Sequence, residues 1–375
     1  MTYRHPGTPA RRFTYRPMER VLLPGASAFA IGGVLLHASP WFGLGLALAA
    51  FVAMWLLTQS RLSAALITGY VSAGAAWYLV AQADQPELVT AGFWCHVIAA
   101  WLLAWACVEQ LAAIATQSRL YQWILGVLIP VLFGVWLLIL WELVTRGLEV
   151  PQVLLPSPSQ IAQRFTSSTH ILWADFRQTF LKAVLIGYTI GCATGFVVAI
   201  LIDRSPFLQR GLLPIGNLVS ALPIVGVAPI MVMWFGFDWP SKAAVVIIMT
   251  FFPMLVNTVA GLGAAQAMQH DLMKTYAASY WQSLFKLRIP EAMPFIFNAL
   301  KINSTLAMIG AIVAEFFGTP TVGMGFRIST EVGRMNVDMV WAEIAVAAMA
   351  GSLFYGAIAL LERVVTFWHP SVRSS

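Results

Sequence analysis

The sequence predicts an all-α polytopic membrane protein with about ten transmembrane helices, and three observations lead there. Hydrophobic residues make up 59% of the 375-residue chain and charged residues only 10%. The mean hydropathy is +0.77. Apolar runs close to the ~20 residues that cross a hydrocarbon core recur along the whole length. A lipid bilayer is therefore the expected surrounding.

Taken in order, the spanning candidates lie at roughly 21–38, 41–58, 63–82, 91–115, 122–145, 176–202, 211–235, 241–263, 294–317 and 340–364. The seventh is interrupted by Pro214, Pro223 and Pro229, whose freed carbonyls need neighbouring helices or a cavity. The opening "MTYRHPGTPARRFTYRPMER" is basic, and no small-residue cleavage site follows the first apolar run before more membrane segments begin, so residues 1–20 read as a basic cytoplasmic tail rather than a signal peptide. Placing that tail inside and reversing direction at each span puts Arg61, Arg119, Arg204, Arg210, Lys274, Lys286, Arg288 and Arg363 on the cytoplasmic side. Arg146, Arg164, Arg177, Lys182, Lys242, Arg327 and Arg334 fall outside or near that face, and both termini come out cytoplasmic. The net charge of +6 is spread over short loops, a pattern of membrane orientation and not of nucleic-acid binding. Cys95, Cys107 and Cys192 sit in apolar runs without metal-ligand spacing and read as small buried side chains.

Loop lengths divide the chain. Residues 21–120 are additional N-terminal transmembrane helices with very short links such as "HASP" and "TQSRL". From 121 to 375 the loops lengthen, and function is expected in this part. Its most unusual feature is the polar loop at 264–293, which contains "DLMKTYAASYWQSLFKLRIPEAMP". Leu272, Tyr276, Tyr280, Leu284 and Leu287 recur at helical steps and predict one apolar stripe, with Asp271, Lys274, Gln282, Lys286 and Arg288 off it and a break near Ala277. Such a helix can lie among lipid headgroups, anchored by Trp281 and Tyr280, or enter a groove on a partner.

The spacing of this loop resembles the cytoplasmic loop of binding-protein-dependent ABC importer permeases: Glu-Ala-Ala, three residues, Gly, nine residues, Ile, one residue, Leu-Pro. Here Asp271, Leu272 and Met273 stand at the first three positions, Ala277 at the Gly, Leu287 at the Ile, and Ile289-Pro290 at the end. The resemblance extends to the permease subfamily for nitrate, sulfonate, taurine, bicarbonate and related solutes through "LPSPSQI", "ALPIVGVAPIMVMWFGF", "FFPMLVNTVAG", "ASYWQSLFKLRIPEAMPFIFNALKI" and "IVAEFFGTPTVGMGF". It covers about two thirds of the chain, and the first 120 residues lie outside it.

The resemblance implies that the last six spans form a permease core and that Asp271, Tyr276, Ala277, Tyr280, Trp281, Leu284, Leu287 and Pro290 couple it to an ATPase. Alanine visits positive φ far less readily than glycine, so a shallower turn is expected at Ala277. The chain has no G-x-x-x-x-G-K-[ST] phosphate loop. It is therefore expected to be a transport subunit binding no cofactor of its own, with ATP and Mg used by a separate ATP-binding ABC subunit. An extracytoplasmic solute-binding protein and a second permease copy, forming a homodimer, complete the implied assembly in the bacterial inner membrane.

Candidates for the solute path are Pro223 and Pro229 in the broken segment 221–229, with Asn257, Ser304, Thr305 and Glu315 inside or at the ends of apolar helices. For Asn257, Ser304 and Thr305, hydrogen bonding that only holds the bundle is an equal reading, and Glu315 could be solvated at an interface. Glu142 and Lys182 read as snorkelling charges, and Met231, Met233, Trp234 and Phe251 as packing. The expected cargo is a sulfonate, nitrate or similar small anion, with a heterocyclic vitamin precursor as the alternative under the same mechanism. An ion-gradient-driven secondary transporter would need no ATPase. A scaffold or sensor would assemble without transporting.

Overall fold

The computed structural model describes residues 18–36, 39–114, 118–205, 207–208, 211, 214, 223–318 and 321–368. Most of the tail at 1–20 and most of 211–222, including Ala221 and Leu222, lie outside the described residues. All the described elements are helical. Seven of them are long and apolar enough to cross a membrane, and three shorter apolar helices complete the ten expected segments. The chain divides into two compact units, residues 1–159 and 160–375.

The first unit holds α1 (Glu19–Leu35), α2 (Pro40–Leu56), α3 (Arg61–Gln82), α4 (Ala91–Ala112) and α5 (Arg119–Gly147). Its core is rich in alanine, including Ala26, Ala30, Ala50, Ala53, Ala99 and Ala100, so the helices approach closely without large knobs. His96 of α4 fills the space left by Gly33 and Gly43, where a Cβ would strike its ring. Thr68 donates to Gln110 Oε1 at 3.2 Å, pinning α3 to α4. Helix α5, which the sequence reading counts with the permease core, packs against α3 and α4, burying Trp136 and Leu143. Glu142 is not the snorkelling charge expected from sequence. It is 7% exposed and accepts from the Ser159 amide at 2.9 Å and the Ser159 hydroxyl at 2.7 Å, with Arg146 Nε at 2.5 Å. A carboxylate at the start of α6 (Pro158–Ser167) satisfies a donor that the helix itself cannot, which gives Ser159, the second serine of "LPSPSQI", a physical role.

The second unit is built on three long helices. The first runs from α7 (Thr169–Phe176) through an eight-residue π-helical stretch (Arg177–Val184) into α8 (Leu185–Asp203). The others are α10 (Trp239–Leu262) and α13 (Ile289–Glu315), and α10 lies between α8 and α13. Gly187, Gly191 and Gly195 repeat at every fourth position of α8 and face α10. A Cβ at Gly187 would stand 2.7 Å from the Ala243 carbonyl, and one at Gly195 would stand 2.6 Å from that of Phe251. Without a hydrophobic force between helices in lipid, such backbone proximity is the main source of association. On the other flank of α10, Gly261 receives Ala292 and Phe295 of α13. Short α9 (Ile224–Phe235) packs on α10 and α13 through Ala228 and Met231, and α14 (Met324–Gly333) leads into α15 (Val337–Val365).

Gly191→Val is expected to force α8 from α10 and to destabilise the protein by about 1–3 kcal/mol or more. Gly351→Ala, where nothing lies within 4 Å, is expected to be neutral or stabilising. Thermal unfolding in detergent measures both, and a Gly191→Val protein as stable as wild type would contradict the close-contact account.

Candidate functional site

The polar loop is a helix, an elbow and a second helix. Helix α11 (Ala267–Thr275) starts with the Gln269 side chain accepting from the Gln266 amide at 2.8 Å. It ends in the paired bonds of a Schellman motif: the Ala278 amide donates to the Met273 carbonyl at 3.0 Å and the Ala277 amide to the Lys274 carbonyl at 2.9 Å. Ala277 has φ 51°, so the shallower turn expected from its Cβ is wrong. The same pair of bonds closes α5 at Glu149 (φ 50°) and α14 at Met335 (φ 62°). Satisfying two orphan carbonyls offsets the ~1–2 kcal/mol that a left-handed L-residue costs. Ser279 and Gln282 then exchange bonds across the start of α12 (Tyr280–Ser283), which continues through a π turn (Leu284–Arg288) into α13. A π turn directly before Pro290 gives room where a proline ring would meet the preceding turn of an α-helix.

The expected single apolar stripe divides at this elbow. Leu284 is fully buried among Cys192, Met254, Leu262, Ala292 and Ile296. Tyr280 and Leu287 are half-buried. Tyr276 is 78% exposed, and Leu272, Trp281 and Phe285 are exposed with it. Met268, one turn before Leu272, is 82% exposed. Met268 and Phe285 escaped the sequence reading, although Met268–Leu272 and Trp281–Phe285 are both helical i,i+4 pairs. Trp281 and Phe285 stack at 6.0 Å between ring centroids. Asp271 pairs with Lys274 at 3.3 Å on the surface, a contact of little energetic weight.

The inward face of α12 and of the π turn after it carries charge as well as apolar contact. Arg288 donates to both oxygens of Asp203, at 2.7 and 2.6 Å, and through Nε to the Leu262 carbonyl at 2.9 Å. The Tyr280 hydroxyl donates to Asp203 at 3.2 Å, and Arg204 sits 5.6 Å over the Tyr280 ring.

The path candidates separate into exposed and buried groups. Pro223 and Pro229 are exposed on α9, and Thr305 is exposed on α13 with its hydroxyl bonded to the Ile302 carbonyl at 2.8 Å. Asn257 is half-buried and donates to the Pro253 carbonyl at 2.8 Å. Ser304 is fully buried and bonded to the Lys301 carbonyl at 2.7 Å. Of the four residues read as packing, Met231 and Phe251 join cores, whereas Met233 and Trp234 are exposed. The neighbouring Asn303, which the sequence reading passed over, ties three helices by donating to the Thr250 carbonyl at 2.7 Å and Cys192 Sγ at 3.2 Å.

Glu315 is 2% exposed and so not solvated. It accepts from the Thr179 hydroxyl at 2.7 Å and the Gly325 amide at 2.7 Å, while Thr179 accepts from the Met324 amide at 2.8 Å. Asp175 takes the Gly323 amide at 2.6 Å and Arg327 Nε at 2.8 Å. Gly323 has φ 143°, and a Cβ there would stand 2.7 Å from the Glu315 carboxylate. The glycines of "GTPTVGMGF" thus let the backbone close on two buried carboxylates. Lys242 is 1% exposed and donates to the carbonyls of Phe237 and Gly318. Lys182, read from sequence as a snorkelling charge, is exposed and donates to Gln178 Oε1 at 3.0 Å. Asp238 caps α10, and the Trp239 amide holds its carboxyl below the usual range.

Glu315→Gln is expected to lose one of the two acceptors and to lower stability by about 1–3 kcal/mol, with little further loss when Thr179→Val is added. Additive losses in thermal unfolding would show that the two side chains do not act together. Ala277→Gly should slow amide exchange at 276–280 about two- to fivefold, because glycine carries no left-handed penalty. Faster exchange there would contradict the elbow geometry.

Residues 188–374 match the family model described as binding-protein-dependent transport system inner membrane component. The chain is 31% identical over 252 residues to the formylaminopyrimidine transport permease protein ThiX of Halalkalibacterium halodurans, covering 67% of this chain and 98% of that protein. It is 30% identical over 237 residues to the riboflavin transport system permease protein RibX of Chloroflexus aurantiacus, covering 63% and 88%. It is 28% identical over 261 residues to the taurine transport system permease protein TauC of Escherichia coli, covering 65% and 89%. These relatives align with about two thirds of the chain, as the N-terminal helices outside the resemblance require. The chain belongs to the inner-membrane permeases of binding-protein-dependent ABC importers.

Proposed function

We propose that the exposed residues Met268, Leu272, Tyr276, Trp281 and Phe285 dock into a groove on a separate ATP-binding subunit, which hydrolyses ATP with Mg and drives alternating access. One observation carries this reading. In a chain of this family, a polar loop holds five large apolar side chains out of its own core on two helices whose relative direction is fixed by the Ala277 elbow. Amphipathic helices presenting i,i+4 anchors suit a groove on a partner protein. Both termini and this loop then lie on the cytoplasmic side, in accord with Arg204, Lys274, Lys286, Arg288 and Arg363. An extracytoplasmic binding protein delivers solute to the opposite end, and a second copy of the chain meets the exposed face of α9 and α13 that carries Pro229, Met233, Thr305 and Ile309.

For the solute we place a small heterocyclic vitamin precursor ahead of a sulfonate-like anion. The α9 and α13 face carries no Lys or Arg among its described exposed residues, and ThiX and RibX are named for heterocycles. An anion path without a fixed cation would have to rely on backbone dipoles alone.

The test is co-purification from detergent-solubilised membranes with a triple variant, Met268→Asp, Tyr276→Asp and Phe285→Asp, all at exposed positions. An ATPase subunit is expected with wild type and to fall at least tenfold with the variant, which should keep its elution volume and melting temperature. Equal recovery of the ATPase with both proteins would remove the docking face. Uptake by proteoliposomes lacking any ATPase would establish the ion-gradient reading instead.

A further inference from the structure

We propose that the Arg288–Asp203 pair is the strut that carries movement of the docking loop into α8 and α10, so that loosening it separates ATP hydrolysis from motion of the membrane helices. This rests on the docking reading above, and it assigns a role to residues that do not themselves face the partner.

The geometry is specific. Arg288 uses three donors at once: two on the Asp203 carboxylate, at the last residue of α8, and one on the Leu262 carbonyl, at the last residue of α10. A planar guanidinium can make this fork, whereas an ammonium cannot span it in one fixed orientation. The side chains are 16% and 9% exposed, so the pair is screened far less than a surface contact. Asp203 lies at the negative end of a helix, an unfavourable place for an acid unless a cation answers it. Arg288 answers it, and its charge also meets the unsatisfied carbonyl end of α10.

Position within the loop completes the argument. Tyr280, Leu284 and Arg288 are spaced by four and turn inward, whereas Trp281 and Phe285 on the same segment are exposed. Force applied at the outward aromatics therefore meets a segment fixed on its inner side at two helix ends. Leu284 resists compression there but is non-directional. The bidentate pair resists both pulling and rotation. The Asp271–Lys274 contact, by comparison, stays within α11.

The experiment uses the assembled transporter with its ATPase, carrying an environment-sensitive fluorophore on Val332→Cys, an exposed site on α14 at the far end of the unit. Emission is recorded before and after trapping with Mg-ATP and vanadate, beside ATPase recovery, hydrolysis rate and melting temperature. Two variants open the pair from opposite sides: Asp203→Asn, which leaves the Arg288–Leu262 bond in place, and Arg288→Lys, which keeps the charge and loses the fork. Both are expected to recover the ATPase and to hydrolyse ATP within about twofold of wild type, while the trapping-induced emission change falls at least fivefold. A full emission change in either variant overturns the strut and leaves the docking reading intact. Loss of the ATPase, or a fall in hydrolysis matched by a fall in melting temperature, also overturns it, because the pair would then serve assembly or stability. Absence of any ATPase from wild type would instead strike the docking reading on which this one stands.

Discussion

The close contact of α8 with α10 is the constraint on which the rest of the second unit depends. Gly187, Gly191 and Gly195 bring two backbones so near that a single Cβ would collide with carbonyl oxygens. On the α8 side of this contact the glycines present no side chain that could adjust, and Val246, Thr250 and Met254 of α10 lie directly against the α8 backbone. On its other flank α10 holds α13 through Gly261 and through the Asn303–Thr250 bond. The three helices form a frame, and α9, α14 and the polar loop are attached to it. Because lipid supplies no hydrophobic drive between helices, this frame has to come from dispersion and hydrogen bonds at short range.

Buried charge is arranged differently at the two ends of that frame. At one end, Asp175 and Glu315 accept backbone amides from Gly323 and Gly325, which stitches a chain reversal onto the helix ends. Lys242 satisfies two carbonyls in the same region. Here charge answers backbone, with one ion pair, Arg327–Asp175, beside it, and the result is a closed cap. At the other end, Asp203 and Arg288 answer each other across helix termini. A buried ion pair is weak evidence for stability, since desolvation takes back much of the Coulomb energy, but its directionality fixes relative orientation.

The ten apolar segments were legible because length and hydropathy alone decide what can cross a bilayer, and the break in the polar loop was legible from its spacing. Four things were not. Glu142 read as a snorkelling charge because its partner, Ser159, is seventeen residues away and contact between them is set by the chain path and not by any local pattern. Leu284 read as part of an outward stripe because a single apolar stripe was carried across the break, whereas the chain changes direction at the elbow and adds a π turn after it. Asn303 went unremarked since a single polar residue in an apolar helix gives no sign of which neighbours it meets. Ala277 is the instructive miss. The Cβ penalty was judged correctly, but the two hydrogen bonds that outweigh it were invisible until the helix end was seen.

These misses share a cause that bears on how the loop works. A straight amphipathic helix has one apolar face, which either packs on its own protein or meets a partner, and cannot do both. The turn at Ala277 separates Met268, Leu272 and Tyr276 from the segment that follows, and that segment then turns Leu284 and Arg288 inward while leaving Trp281 and Phe285 outside. One stretch of about twenty residues thereby gains two apolar faces with different duties. An elbow set by backbone hydrogen bonds keeps the two faces in fixed relation. On the proposed docking, a flexible link would absorb the displacement of the partner before it reached α8 and α10. The rigidity of the elbow and the directionality of the Arg288 fork would then serve the same task.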